Sequence, residues 1–136
     1  MTACFSLAVV ANDSLDAGRS GAAVAAVIRE WRASGRIADY NATEGMVVGL
    51  VGTAVTRRSA TDALALALLA TEMFPNSHRA FAALGDAQQA SGDRTAAVAA
   101  WRKALDLNPR TSDGDRAAAA VVERKLAGGD ASRAMP

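Results

Sequence analysis

The 136-residue sequence predicts an all-α fold, and three observations carry that reading. Apolar residues recur at three-and-four spacing through most of the chain, the period that gathers side chains on one face of a helix. Two amphipathic stretches of this kind, joined at Ser91-Gly92-Asp93, stop at Pro109, and their spacing of large and small residues recurs one period earlier, up to Pro75. Hydrophobic residues make up 51% of the chain but aromatic ones only 4%, a balance of Ala, Val and Leu that suits closely packed helices. The expected architecture is a short right-handed solenoid of helical hairpins, in which each unit covers the open face of the next.

In chain order, residues 1–19 read as an apolar segment followed by a loop. The run MTACFSLAVVA has small residues near its end but no basic start. Two readings stand for it: the core of an export signal truncated at its basic end and closing at Ala11, or a frayed first helix laid over the core. The compartment is periplasmic on the first reading and stays open, cytoplasm included, on the second. Asn12–Arg19 is turn-rich and reads as loop. Residues 20–127 form the helical domain. Its first helix, Ser20 to Ser34, carries Val24, Val27, Ile28 and Trp31 on one stripe, ends at Gly35, and stands as the remnant of a degenerate earlier unit. Trp31 is expected in the packing.

After a connector, Asn41 and Glu44 resemble a capping box that opens a helix running to about Thr56. Gly45, Gly49 and Gly52 lie on one side of it, so another backbone, that of the N-terminal segment or of a partner's helix, is expected close by. Ser59 and Asp62 open its companion, Thr61 to Phe74, with Leu64, Ala67, Leu68 and Thr71 on one face and Leu66 and Leu69 widening the stripe. Ser77 caps the next helix, whose face carries Phe81, Leu84, Ala87 and Gln88. Gly92 closes it and Asp93 caps the following one, which points Ala97, Val98, Trp101, Ala104 and Leu105 inward. Asn108-Pro109 ends that helix, because the residue before a proline avoids helical dihedrals. Thr111–Asp115 reads as a turn, and a helix at about 115–127 with Ala118, Val122 and Leu126 inward closes the array. Residues 128–136 are expected to be a disordered tail.

The paired helices resemble the tetratricopeptide repeat, a unit of about 34 residues. In the stretch 78–111, Phe81, Leu84, Gly85, Ala97, Trp101, Ala104 and Pro109 hold the signature places, and in 44–77 they are held by Val47, Leu50, Ala63, Ala67, Ala70 and Pro75. Gln88 departs from the pattern, standing where the family usually places Tyr. The resemblance implies a non-enzymatic module that binds a peptide or protein segment on the concave face lined by the first helix of each unit. In this sequence the places concerned are Arg79, Ala82, Asp86 and Gln89, preceded in the earlier unit by Gly45, Val48, Gly52 and Val55. The family's clamp for a terminal carboxylate needs Lys and Asn where Ala82 and Asp86 stand, so a half-polar, half-apolar groove is expected instead. The plainer account of Arg79, Asp86 and Gln89 is that they solvate a helix.

From Gly21 onward the chain is also similar, more loosely, to the helical tail that follows some bacterial beta-lactamase-like serine hydrolases. The hydrolase's own Ser-x-x-Lys motif is absent, so no activity is implied. Two alternatives to the binding module therefore stand: a structural domain that self-associates through the glycine-bearing helix, and an accessory tail of a serine hydrolase.

Chemistry is sparse. Lys and Arg total 15 against 14 Asp and Glu, a formal net charge of +1 with no basic stripe, which gives no pull toward nucleic acid or anionic lipid. The one cysteine, Cys4, excludes a disulfide or a cysteine-based zinc site within the chain. The charge-free runs Gly45–Thr56 and Ala63–Thr71 fall short of the roughly 20 residues of a membrane span. The one histidine, His78, sits at a helix start with no evident nucleophile and reads as an exposed connector. Asp86 and Asp93 fall on different faces, so paired-carboxylate chemistry has no scaffold. Neither catalytic residues, nor a metal, nor a cofactor are expected.

Overall fold

The computed structural model describes residues 5–35, 40–41, 44–57 and 59–134. After β1 (Phe5–Ser6) come α1 (Leu7–Asp16), α2 (Gly21–Ser34), β2 (Tyr40–Asn41), α3 (Glu44–Arg57), α4 (Ala60–Met73), α5 (His78–Ala90), α6 (Arg94–Leu107) and α7 (Asp113–Ala134). The strands are two residues each and pair in parallel, Phe5 opposite Tyr40. Everything else regular among the described residues is helix, so the fold is all-α. Cys4, the connector at 36–39 and the final residues 135–136 lie outside the described residues.

The helix starts follow the capping signals. Ser20 Oγ accepts from the Ala23 amide at 3.1 Å, Ser59 from Asp62 at 3.2 Å, Ser77 from Ala80 at 3.1 Å, and Asp93 from Ala96 at 3.0 Å. Each satisfies an amide that the first turn leaves without a helical partner, a contribution of about 1 kcal/mol. Gly92 takes a left-handed φ of 89°, which allows α6 to begin within three residues of the end of α5.

Most helices adjacent in the chain pack on one another, and the alternate pairs α1–α3, α2–α4 and α3–α5 meet as well. α2 lies on α4, α3 on both α4 and α5, α5 on α4 and α6, and α7 on α6. The main core runs from α1 to α6 and includes Leu15, Ile28, Val47, Leu50, Val51, Leu66, Leu69 and Leu84. A separate small cluster of Ala97, Trp101 and Val122, flanked by Ala82, Leu105 and Leu126, joins α7 to the rest.

Two close approaches fix how the layers meet. A Cβ on Gly85 would stand 2.3 Å from the Trp101 ring, so only glycine on α5 leaves room for the indole of α6, which is 1% exposed. At the start of α2, a Cβ on Gly21 would stand 2.5 Å from the Asp62 backbone, and the Gly21 amide donates to Asp62 Oδ1 at 2.7 Å. Arg29 on α2 grips Glu72 on α4 with two bonds of 2.7 and 3.0 Å, tying the other end of the same helix pair.

Several expectations need correction. Asn12–Asp16 is not loop: α1 runs to Asp16, and Ala11 and Leu15 are buried in the core. This apolar segment packs on α2 and α3, as a covering first helix would. It does not cover the glycines of α3, however. Gly45, Gly49 and Gly52 are exposed, with nothing within 4 Å of an added Cβ. On α4 the buried face is Ala63, Leu66, Ala67, Leu69 and Ala70, whereas Leu68 is 43% exposed, because α4 is held between α2, α3 and α5 and turns the wider Leu66/Leu69 side to them. Glu44 accepts from Ser77 Oγ at 2.8 Å and so joins the starts of α3 and α5, while the capping box expected with Asn41 runs through residues 42–43, outside the described residues. The last helix begins at Asp113 rather than after the Thr111–Asp115 turn, with the Asp115 amide donating to Ser112 Oγ at 3.0 Å. It continues to Ala134, past Ala127 and through most of the segment expected to be a tail. No proline interrupts it before Pro136.

Candidate partner-binding groove

α3, α5 and α7 present their sides to a common depression, floored by α6. It encloses about 230 Å³ and is lined by Val48 and Gly52 from α3, Arg79, Ala82 and Asp86 from α5, Leu105 from α6, and Ala118 and Val122 from α7. Five of the eight residues expected at a binding face, Val48, Gly52, Arg79, Ala82 and Asp86, are thus brought together, whereas Gly45 borders only a neighbouring opening and Val55 packs against the main core. Gln89 is not among the lining residues; one turn on along α5, its Oε1 accepts from Arg94 Nη1 at 2.9 Å. A second, wider opening of about 460 Å³ continues past the helix starts, sharing His78 and Arg79 and bordered by Glu44, Gly45 and Asp115.

The walls are small and apolar for a local reason. α5 needs Ala and Gly where it meets α6, and α3 carries glycine at the exposed places that face the opening. What polarity remains is largely spoken for. Asp86 Oδ1 accepts from Lys125 Nζ at 2.7 Å and from the Trp101 indole at 3.2 Å, so the groove's carboxylate is compensated by α7 and α6. His78 Nε2 lies 3.2 Å from Asp115 Oδ1, with both side chains largely buried at 13% and 16% exposure. Burial pushes the Asp115 carboxyl up, but hydrogen bonds from Thr111, Ser112 and His78 outweigh it and hold the group below its ordinary value. Arg79 is exposed and has no hydrogen-bond or ion-pair partner among the described residues.

His78 is therefore not the exposed connector expected from its place at a helix start. It links α5 to α7, and no hydroxyl or thiol among the described residues is hydrogen-bonded to its ring. No three of His, Cys, Asp and Glu converge on a metal-sized site among the described residues, and no helix described is long and apolar enough to cross a membrane.

Sequence reasoning missed the α7 wall. Stepping one further period of about 34 residues from Leu84 and Gly85 lands on Ala118 and Ala119, both of which line the groove, so the register carried a usable signal. Lys125 had none. Its bond to Asp86 spans 39 positions and exists only once α7 is docked.

No family model, curated protein or solved structure matches the chain.

Proposed function

We propose that this protein is a non-enzymatic interaction module, a tetratricopeptide-like array of helical hairpins that binds a peptide or protein segment in the groove between α3, α5 and α7. The observation that carries the reading is the groove itself: an uncovered, small-residue trough formed by alternate helices of the array. The hairpin reading draws support from the packing of α3 on α4 and of α5 on α6, from the alternate contacts of α1 with α3 and of α3 with α5, and from the Gly85–Trp101 fit between α5 and α6. In a right-handed solenoid of this kind, α3 and α5 are the first helices of successive units, α7 is the first helix of an incomplete one, and α1 and α2 are a worn earlier unit.

Gly52→Phe tests the proposal. A Cβ there would meet nothing within 4 Å and the position is exposed, so the substitution spares the core while its ring is expected to occupy the groove. A random peptide library is selected on the native protein, and the enriched peptides are then titrated against both forms while amide shifts are mapped by NMR. The expected result is binding that moves the amides of Val48, Ala82 and Val122 and is lost in the variant. Peptides that bind both forms equally, or that shift residues elsewhere, overturn the proposal.

A further inference from the structure

Each carboxylate around the groove has a hydrogen-bonding partner, and one cation has none among the described residues. Asp86 is held by Lys125 and Trp101, Asp115 faces His78 and Thr111, Glu44 takes the Ser77 hydroxyl, and Asp113 pairs with Arg116. Arg79 alone among the charged groups lining the two openings has no partner among the described residues. Its guanidinium reaches toward the first turn of α7, 3.9 Å from where a Cβ on Gly114 would stand, and so lies at the junction of the two openings. The surface beside it is low. Gly45 and Gly52 on α3 have nothing within 4 Å of an added Cβ, and Ala82 and Ala118 add only methyl groups, so another helix backbone can approach closely between Val48 and Val122.

Resting on the groove reading, we infer that the occupant is a helical peptide segment with a small-residue face and one internal Asp or Glu, whose carboxylate pairs with Arg79. Guanidinium matches a carboxylate with two parallel bonds, and the apolar trough excludes water from that pair more than an open surface would. A nucleic acid or an anionic membrane needs several cations side by side, and this groove offers one unpaired cation, with the Glu44 and Asp115 carboxylates bordering the next opening, on a chain whose formal net charge is +1. A terminal carboxylate is not required, since Arg79 lines both openings and so borders a continuous surface.

The probes are three acetylated and amidated helical peptides of Ala and Leu, identical except for a central Glu, Gln or Lys. They are titrated by fluorescence anisotropy against the native protein, Arg79→Gln, Arg79→Glu and Gly52→Phe. The expected result is that the native protein binds the Glu probe about three- to tenfold tighter than the Gln probe, the range for a single pair between exposed and partly dry. Arg79→Gln should abolish that preference, Arg79→Glu should transfer it to the Lys probe, and Gly52→Phe should weaken all three. Added salt should narrow the native preference. Equal binding of the three probes by the native protein overturns the carboxylate inference and leaves the groove reading intact. Failure of every probe, with no amide shift in the groove, defeats the groove reading and this inference with it. If no probe binds but the chain dimerises in sedimentation and Arg79→Glu abolishes the dimer, the occupant is a second copy and the inference is likewise overturned.

Discussion

Gly85 and Gly49 are both glycines inside helices, yet replacing each with alanine should move stability in opposite directions. An alanine in a helix interior is intrinsically favoured over glycine by about 1 kcal/mol, because the glycine chain loses more backbone freedom on folding. At Gly49 nothing lies within 4 Å of the new methyl, so that gain is realised in full. At Gly85 the methyl lands 2.3 Å from Cδ1 and Nε1 of Trp101, and ordinary contact begins at 3.4 Å, so the ring must retreat by the difference, about 1.1 Å. The indole has little room for that: it is 1% exposed, sits between Ala97 and Val122, and donates to Asp86. Overpacking of this severity costs about 3 kcal/mol. Less the helical gain, Gly85→Ala should destabilise by about 2 kcal/mol and Gly49→Ala should stabilise by up to about 1 kcal/mol, shifts in Tm of about 6–10 °C down and about 3–5 °C up. Urea titrations followed by far-ultraviolet circular dichroism measure both against the native chain. A Gly85→Ala protein as stable as the native one would refute the argument that this glycine exists to seat the tryptophan.

Three further outcomes follow from the polar links. Ser77→Ala removes both the cap on the Ala80 amide and the donor to Glu44 from an 8% exposed position, and should lower stability by about 1–2 kcal/mol in the same titration. Asp86→Asn keeps an acceptor for the indole but drops the charge that holds Lys125. Amide exchange in α7 should then quicken several-fold while α4 and α5 are unchanged, and uniform protection would count against the tie. The Arg29 hydrogen bond draws the Glu72 carboxyl below its ordinary value, so the pair stabilises the fold at neutral pH and loses its contribution as pH falls through the depressed folded-state value. Both groups are substantially open to solvent, at 41% and 49%, so the effect is under about 1 kcal/mol. Native and Glu72→Gln proteins should therefore differ in urea midpoint at neutral pH, the gap should narrow as pH falls through the depressed folded-state value, and a constant gap would refute the assignment.

Much of the fold could be read from local chemistry. Ser20, Ser59, Ser77 and Asp93 each announce a helix with a side chain that has one obvious use, and Gly92 marks a turn few other residues can make. What could not be read locally depends on neighbours. On α4 nearly every face is apolar, so periodicity named no single buried side, and contact with α2, α3 and α5 settled it in favour of Leu66 and Leu69 over Leu68. On α3 the glycine spacing was informative about shape but not about occupancy: it marks a low surface, which the described residues leave uncovered. In the groove, most of the α3 and α5 walls followed from the resemblance to the tetratricopeptide repeat, though Gln89, Gly45 and Val55 do not line it. The pairing of Asp86 with Lys125, which decides that Arg79 is the charge left over, joins residues too distant in sequence for any spacing rule.

The division of apolar packing into a large cluster and a small one also makes the last helix a gauge. Of the two apolar clusters α7 belongs only to the small Ala97–Trp101–Val122 one, and beyond it is held by polar ties such as His78–Asp115 and Lys125–Asp86, so its detachment exposes little apolar surface and need not await global unfolding. Anything lodged against both α5 and α7 favours the attached arrangement, and by reciprocity a firmly attached α7 favours the lodger. The rate at which the amides of α7 trade hydrogen for deuterium then reads out how full the groove is, even for a guest whose identity is unknown.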